Sequence, residues 1–210
     1  MRLLLVLLAA SVTAFSQPFS FGVKAGVPVN NFINTVQSVT SSSFTTTNRY
    51  VVGVTGELHL PFGLAIELDA LYRHFNYATR ATAVDVLTVG TTSSNAWEFP
   101  LLAKYRFPSK VIRPYVDGGL AWDALQGLKQ TVTTTVLPSI VHTSTTSNPD
   151  ELKNGTTMGL VLGAGLDVHL AVIHISPEVR FTRWTAQHFN ATNLLSSNQN
   201  QGEVLVGITF

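Results

Sequence analysis

The chain has 210 residues, of which only 12% are Asp, Glu, Lys or Arg, about half of the roughly 25% in ordinary soluble domains. The formal net charge of +1 gives no electrostatic reason to expect a nucleic acid or an acidic partner. The absence of cysteine excludes a disulfide framework, a thiolate zinc site and a thiol nucleophile. This length suits one all-β domain, because barrels of about 200–250 residues are commonly single domains.

The first residues have the pattern of a secretory signal peptide. Arg2 provides a positive start, residues 3–10 are apolar, and Ala14, Phe15 and Ser16 form a small-x-small cleavage site. The alternative is a membrane anchor, but the apolar run is shorter than the roughly 20 residues that a spanning helix needs. We therefore predict a signal peptide over residues 1–16 and a mature barrel domain over residues 17–210.

From Phe19 onward, apolar and polar residues alternate with a period of two, which indicates β-strands. Most of the predicted strands have 10–15 residues, which is above the mode of about 5–6 for globular strands. A transmembrane strand needs about 9–11 residues at a tilt near 45°, so these strands are long enough to cross a membrane. The eight predicted strands span residues 19–29, 48–60, 64–77, 95–107, 113–125, 156–170, 172–184 and 201–210.

The connections between these strands alternate in length. Residues 60–63, 108–112 and 170–171 form tight turns, whereas the others are long and rich in Ser, Thr and Asn. This alternation is typical of an antiparallel up-and-down barrel with short turns at one rim and long loops at the other. An even strand number places both termini at the short-turn rim. The predicted long loops are residues 30–47, 78–94, 126–155 and 185–200.

Charged residues occupy one face of each predicted strand, and the only exception is Arg183, at the long-loop end of its strand, where an Arg at the level of the lipid headgroups is tolerated. In the third strand, Glu67, Asp69 and Arg73 share a face, and Ile66 and Leu68 lie on the other. We predict that the charged faces line the barrel interior as a charge network. Its sixteen members are Lys24, Arg49, Glu57, Glu67, Asp69, Arg73, Glu98, Lys104, Arg106, Arg113, Asp117, Asp123, Asp167, Glu178, Arg180 and Glu203.

Alternation alone leaves open whether the apolar face points inward, as in a soluble ligand-binding barrel, or outward to lipid. Two observations favour lipid. The apolar face carries Trp, Tyr, Phe and Leu, which would crowd the interior of an eight-stranded barrel. Glycines such as Gly22, Gly163 and Gly165 share the charged face, where they leave room for long ionised side chains in a narrow lumen.

Aromatic residues near the strand ends are a third observation that favours lipid. Trp97 and Phe107 are ten residues apart, which is roughly 23 Å along the membrane normal at 3.3 Å per residue and 45° tilt. This separation is close to the apolar band of about 25 Å in membrane barrels. We predict two aromatic girdles, with Tyr50, Tyr72, Trp97 and Trp122 toward the long loops and Phe62, Phe107 and Phe210 toward the short turns.

The first and last strands must pair, because an open edge in hydrocarbon leaves backbone N–H and C=O groups unsatisfied. Pro100 and Pro177 lie within predicted strands, and each removes a donor from the ladder. We expect local β-bulges at these two positions.

These features, with the final residues V-L-V-G-I-T-F, resemble the small outer-membrane β-barrel proteins of Gram-negative bacteria, the OmpA/OmpX-like or opacity-type porin family. The resemblance covers residues 19–210. It implies export across the inner membrane, an all-β transmembrane barrel in outer-membrane lipid, short periplasmic turns and long extracellular loops. It also implies that the barrel-assembly machinery reads the last strand, through Val204, Val206, Ile208 and Phe210.

One motif raises the question of an enzyme. His174, Ser176 and Glu178 stand at i, i+2 and i+4, and His-x-Ser resembles the motif of lipid A deacylase barrels. These residues face the predicted lumen near the short-turn rim, whereas lipid A lies in the outer leaflet. Neighbours at i and i+2 are also about 6.5–7 Å apart along a strand, which is long for a nucleophile–base hydrogen bond. We predict no catalytic residue and no enzyme.

The six histidines show no close metal-ligand spacing, although His169 and His174 flank a tight turn and can approach each other. We interpret these two as rim residues and predict no metal and no cofactor. The mixed charges of the lumen predict interlocking ion pairs that plug the interior. A narrow channel for ions or small solutes is the alternative.

The Ser/Thr-rich loops contain the remaining candidates for function. The segment 129–147 has β-branched residues on both sides of Pro138 and Ser139, so it can extend a hairpin above the membrane and offer edge strands to a partner. The alternative is a solvated, mobile cap. We predict a monomer with a structural or adhesion-like role, an extracellular protein or surface as partner, and no nucleic acid.

Overall fold

The computed structural model describes residues 18–35, 41–47, 50–109, 111–136, 140–170, 173–191 and 195–210. The predicted signal peptide and Arg49 lie outside the described residues. Within the described part of the chain there is no helix that is both long and apolar enough to span a membrane. In chain order the strands are β1 (Phe19–Pro28), β2 (Ile33–Thr35), β3 (Ser41–Thr47), β4 (Val51–His59), β5 (Leu64–Ala83), β6 (Val86–Arg106), β7 (Ile112–Val136), β8 (Ile140–Thr146), β9 (Thr156–Leu170), β10 (Ile173–Trp184), β11 (Asn190–Ala191), β12 (Leu195–Ser197) and β13 (Asn200–Thr209).

Eight of these strands form a closed antiparallel barrel, in the order β1, β4, β5, β6, β7, β9, β10, β13 and back to β1. The closing pair β1–β13 is in register through Val23 with Ile208 and Lys24 with Gly207. The Phe210 amide continues this pairing by donating to the Phe21 carbonyl at 2.9 Å. Because every barrel strand has two neighbours, the backbone is satisfied without water. The predicted eight-stranded transmembrane barrel is confirmed.

The apolar face of the barrel points outward. Leu162 is 67% exposed and Val179 is 61% exposed, whereas Asp117 and Glu178 on the other parity of neighbouring strands are buried. A soluble barrel would bury the apolar face instead. The alternation therefore places apolar side chains against lipid and charged side chains in the lumen.

The turn between β4 and β5 is a single 3-10 turn, Pro61–Gly63. Both Phe62 (φ 66°) and Gly63 (φ 79°) have left-handed backbone. A Cβ at Gly63 would lie 2.6 Å from the Arg106 carbonyl oxygen, so only glycine fits there. The turn leaves Phe62 93% exposed at the short-turn, periplasmic rim.

Two of the predicted long loops contain long strand extensions. β5 and β6 continue through residues 78–94 and meet at a two-residue turn, Val84 and Asp85, with Asp85 at φ 59°. β7 likewise runs on to Val136 and turns back as β8. The reason is the β-branched content of these segments: Val89 and Thr91 of β6 pair with Thr133 and Thr131 of β7, and such residues fit a pleated surface.

These extensions form a five-stranded sheet beyond the barrel, which we call the upper sheet. Its order is β3, β5, β6, β7, β8, because β3 pairs with the distal half of β5 and β8 pairs with the distal part of β7. From Tyr72 to the end of β5 the strand rises by roughly 25 Å at 45° tilt. A separate small sheet, β11–β12–β2, lies outside this ladder.

The expected bulges at Pro100 and Pro177 are absent from the described ladders. Pro100 pairs with Ala121 and Pro177 with Val206 in continuous register. A residue in an antiparallel strand directs its N–H toward one neighbour only, so each proline weakens one ladder and leaves the other intact. The β6–β7 register instead shifts between Ser93 and Asn95, opposite Gly127, whose φ is 63°.

Candidate functional site

The lumen is filled by the predicted charged residues. Fourteen of the sixteen point into it; thirteen of these are at most 6% exposed, and the Arg106 side chain is 11% exposed. These fourteen comprise nine carboxylates and five cations. They divide into a lower cluster near the periplasmic rim and an upper cluster beneath the extracellular mouth.

The lower cluster is organised by Lys24 of β1 and Arg180 of β10. Lys24 Nζ lies 2.5 Å from Glu67, 3.1 Å from Asp69 and 3.2 Å from Glu178. Arg180 contacts the same three carboxylates, at 2.7 Å for Glu178, 2.9 Å for Asp69 and 3.3 Å for Glu67. Two cations therefore share three carboxylates, of which Glu67 and Asp69 lie on β5 and Glu178 lies on β10. These ion pairs connect opposite walls of the barrel.

Lys104 and Arg106 of β6 extend the lower cluster toward the rim. Lys104 pairs with Glu67, and its Nζ also lies 3.4 Å from Glu57. Arg106 Nη2 donates to Glu57 at 2.7 Å, and Arg106 Nε donates to Asp167 at 2.8 Å. A planar guanidinium suits this bridging role because its donors form a fixed fork.

Tyr115 of β7 packs within the lower cluster. Its hydroxyl donates to Glu178 at 3.1 Å, and Lys104 Nζ lies 4.4 Å from its ring centroid in a cation–π contact. Space for the ring comes from Gly165, where a Cβ would lie 2.5 Å from the Tyr115 hydroxyl oxygen. At Gly163 a Cβ would clash with the Asp117 carboxylate.

The upper cluster has one guanidinium among three carboxylates. Arg73 lies 2.9 Å from Glu98, 3.2 Å from Asp123 and 3.4 Å from Glu203. His188, from the segment before β11, adds a second basic group, because its Nε2 lies 3.2 Å from Asp123. The clusters are separated on β5 by Leu71, which is 1% exposed.

An apolar cap closes the extracellular mouth above the upper cluster. The Phe32 ring packs against Phe75 at a tilt of 41° with ring centroids 4.8 Å apart, and the Tyr77 and Phe189 rings meet edge to face with centroids 5.6 Å apart. The Arg73 guanidinium lies 5.2 Å from the Phe32 ring centroid, so the cap rests directly on the charges. The cap consists of Phe32, Ile33, Phe75, Tyr77, Ala96 and Phe189, all at most 6% exposed, with Leu125, Leu128 and Leu152 packed around them.

The cap is the feature that sequence reasoning missed. Phe75 and Tyr77 share the lumen-facing parity of Arg73, and two aromatic residues on a charged face indicate that the lumen becomes apolar at that height. Nothing in the local sequence around Phe32 or Phe189 shows that these residues meet, because they come from segments more than 150 positions apart.

Arg113 differs from the prediction. It has lumen-facing parity but lies at the periplasmic rim, exposed, with its Nε donating to the Ser109 carbonyl at 3.1 Å. Parity places a side chain on a face, and at the end of a strand that face already meets water. The prediction for Arg49 lies outside the described residues.

The candidate catalytic motif is not assembled as a catalytic group. His174 contacts Asp167 and His169, at 3.0 Å and 2.9 Å, and Glu178 is engaged by Lys24 and Arg180. Among the described residues, Ser176 has no hydrogen bond to His174. In the same part of the chain, no group of three or more His, Asp or Glu residues is arranged to hold a metal ion.

The predicted girdle and assembly residues lie on the outer surface. Tyr72 and Trp97 are neighbours with ring centroids 5.3 Å apart, and Tyr50 and Trp122 are about 40% exposed. Phe107 and Phe62 are exposed toward the periplasmic rim. Along β13, Val204, Val206, Ile208 and Phe210 are 42%, 42%, 36% and 67% exposed. Their recognition by the barrel-assembly machinery stays a prediction.

The upper sheet ends in an edge strand, β8, which pairs only with β7 among the described strands. Residues 140–146 contain no Lys, Arg, Asp, Glu or Pro. Ile140 is 56% exposed and Val141 is 59% exposed. Weak hydroxyl contacts join the two strands, with Thr131 3.3 Å from Thr145 and Thr133 3.4 Å from Thr143.

Comparison with solved structures found matches at low sequence identity. OprG from Pseudomonas aeruginosa matches with a TM-score of 0.50 and 13% identity, over 91% of this chain and 94% of that one. Neisserial surface protein A matches with a TM-score of 0.40 and 12% identity, over 92% and 96% of the two chains. The N-terminal barrel domain of Pseudomonas aeruginosa OprF matches with a TM-score of 0.38 and 14% identity, over 92% and 98%. A search of curated proteins found no match.

The family assignment comes from the sequence itself. The family model described as "Outer membrane protein beta-barrel domain" matches residues 3–209, nearly the whole chain. The match agrees with a closed barrel of eight strands whose apolar face points outward. The chain belongs to the outer-membrane β-barrel domain family.

Proposed function

We propose that this outer-membrane barrel is a non-enzymatic surface-interaction protein whose binding element is the edge of the upper sheet. The observation that carries the proposal is the outer edge of β8 above the membrane, which has no Lys, Arg, Asp or Glu and no second neighbour among the strands that the structure describes. The partner is an extracellular protein or surface that adds a strand to this edge. The barrel acts as a monomeric anchor.

The edge of β8 lacks the features that normally prevent strand addition. An edge strand presents a row of unpaired N–H and C=O groups, and natural proteins usually block it with Lys, Pro, a bulge or a short length. β8 has seven residues without an interior proline or charge. Partners that add a strand gain backbone hydrogen bonds and side-chain contacts at alternate positions, here beside the exposed Ile140 and Val141.

The filled, capped lumen favours a role at the cell surface over transport through the barrel. Ion pairs bridge the barrel walls in two clusters, and the apolar cap of Phe32, Phe75, Tyr77 and Phe189 covers the mouth. A solute path through the described residues would have to break buried ion pairs, which is costly because it leaves charges without partners.

The test uses edge variants on cells that display the protein. Thr143→Lys and Thr143→Pro block the edge of β8, and we expect both to reduce sedimentation of displaying cells and their retention on surfaces coated with extracellular protein. Thr133→Lys is the matched control, since it places the same charge on β7, which has neighbours on both sides. Deleting residues 129–147 is the coarser variant, and heat-modifiable migration verifies its barrel. Adhesion that is unchanged in both Thr143 variants and in the deletion contradicts the proposal.

A narrow cation channel is the second candidate, and the excess of nine carboxylates over five cations in the lumen favours it. Planar-bilayer recording separates the two functions. If the barrel conducts, Phe32→Ala combined with Phe189→Ala opens the cap and increases the conductance steps. The surface-interaction proposal expects no reproducible steps for the native chain.

Two further parts of the proposal concern chemistry and assembly. We expect Ser176→Ala to leave lipid A composition unaltered, because among the described residues the ring nitrogens of His174 contact Asp167 and His169 and not Ser176. We also expect β13 to be read by the barrel-assembly machinery. Deletion of Phe210 should then lower the amount of inserted barrel more than it lowers the stability of the barrel that does insert.

A further inference from the structure

A pair of histidines lies at the periplasmic mouth of the lumen. His169 of β9 and His174 of β10 are cross-strand partners beside the tight turn that joins these strands. His169 Nδ1 is 2.9 Å from His174 Nε2, and the two rings have centroids 4.4 Å apart at 67°. Two ring nitrogens therefore point at each other on the same face of the hairpin.

Asp167 fixes the orientation of one of these rings. Its Oδ1 is 3.0 Å from His174 Nδ1, and its Oδ2 accepts from Arg106 at 2.8 Å. An ionised carboxylate only accepts hydrogen bonds, so His174 Nδ1 carries a proton, and in the neutral ring Nε2 presents its lone pair toward His169. This carboxylate–histidine contact is the arrangement that orients imidazole ligands in metal sites.

We propose that His169 Nδ1 and His174 Nε2 bind one late first-row divalent cation, such as Zn²⁺ or Cu²⁺, with Asp167 as the outer partner of His174. Zn–N bonds of about 2.0–2.1 Å in tetrahedral geometry place two ligand nitrogens about 3.3 Å apart. The rings need to separate by only about 0.4 Å from their present distance. His169 is exposed, so its ring can move and carry its proton on Nε2.

The ligand set selects the class of cation. Imidazole suits Zn²⁺, Cu²⁺ and Ni²⁺, whereas Mg²⁺ and Ca²⁺ prefer oxygen ligands. Because two imidazoles leave the remaining coordination positions to water, the bound ion exchanges with the periplasm. The excess of carboxylates in the lumen directly above the pair adds a negative potential that attracts cations to this mouth.

The test is metal binding by the full chain, produced without an affinity tag and purified from outer membranes in detergent. Titration calorimetry with ZnCl₂ should give one ion per chain. His169→Ala and His174→Ala should each weaken binding at least tenfold. Asp167→Asn should weaken it by about 10–100-fold, as for other carboxylates that hydrogen-bond a metal-binding histidine. The matched controls are His59→Ala, at the same rim, and His142→Ala, on the upper sheet; both should bind Zn²⁺ as the native chain does.

Electron paramagnetic resonance of bound Cu²⁺ gives an independent readout. We expect coupling to two imidazole nitrogens in the native chain and to one in each single variant. His169→Gln and His174→Gln retain a polar side chain, and heat-modifiable migration verifies that each variant is folded. Zinc binding that is equal in the native chain and both histidine variants, or no binding at millimolar ZnCl₂, overturns the proposal.

Discussion

The barrel wall and the upper sheet are built from the same strands, β5, β6 and β7, yet their side chains follow different rules. In the wall, Glu67, Asp69 and Arg73 of β5 point inward and Leu68 points to lipid. In the upper sheet both faces carry Thr and Val: Val89 pairs with Thr133 on one face, and on the other face Thr88 pairs with Thr134 and Gly90 with Val132. The strict separation of charged and apolar faces is thus imposed by lipid, and it ends where water is available on both sides.

The ion pairs of the barrel wall are buried, so removing one charged side chain should strongly destabilise the barrel. Arg180→Met removes the cation shared by Glu67, Asp69 and Glu178, and we expect it to lower the free energy of unfolding by about 3–5 kcal/mol, because buried carboxylates lose their partner. Urea unfolding in phospholipid vesicles measures this loss. Arg183→Met on the same strand is the control, since Arg183 is exposed and should contribute within about 0.5 kcal/mol. Equal effects for the two arginines would contradict a network that depends on burial.

A charged side chain on the outer surface should destabilise the barrel wall much more than the upper sheet. Leu162→Arg puts a cation on the lipid-facing side of β9 near the middle of the strand, and we expect a loss of about 2–4 kcal/mol, as for Arg at the bilayer midplane. Thr133→Arg puts the same side chain on β7 in the upper sheet, where the change should stay within about 0.5 kcal/mol. Both are measured by urea unfolding in vesicles. A similar loss at Thr133 would mean that the upper sheet also lies in lipid.

The features dictated by lipid are those that sequence reasoning could predict. Alternation located all eight barrel strands, and parity located fourteen lumen charges, because each depends on a local period of two. The sequence could not show how far β5 and β6 extend beyond the barrel, because Ser- and Thr-rich segments such as 78–94 are compatible with both a solvated loop and a strand. The apolar cap depends on contacts between Phe32 and Phe189, and the metal-binding proposal depends on the 2.9 Å approach of His169 to His174, neither of which a local pattern specifies.

We expect replacement of a glycine by a larger residue to destabilise the protein in the lumen but not in the connections above the barrel. A side chain at Gly163 clashes with Asp117, so we expect Gly163→Val to cost about 1–3 kcal/mol through overpacking. Gly155, before β9, has open space around its Cβ position, and Gly155→Val is the matched control with little expected change. Thermal unfolding followed by heat-modifiable migration compares the two. A neutral Gly163→Val would show that the lower cluster can repack around an added side chain.

The smallest expected effect concerns how tightly the upper sheet is held. Its outermost hairpin, β7–β8, is joined by backbone pairing and by exposed hydroxyl contacts such as Thr133 with Thr143 at 3.4 Å, and cross-strand contacts of this kind contribute only about 0.2–1 kcal/mol. Thr133→Val keeps the shape and the β-propensity of the side chain but removes one hydroxyl, so the global free energy of unfolding should change by less than about 0.5 kcal/mol.

Native-state hydrogen exchange should nevertheless show faster exchange for amides of residues 140–146 than for Leu162 or Val179 of the wall. The reason is that β8 has one neighbour among the described strands, so the hairpin can open locally without unfolding the barrel. Thr133→Val should increase that difference slightly, and protection of β8 equal to that of the wall would contradict a free edge.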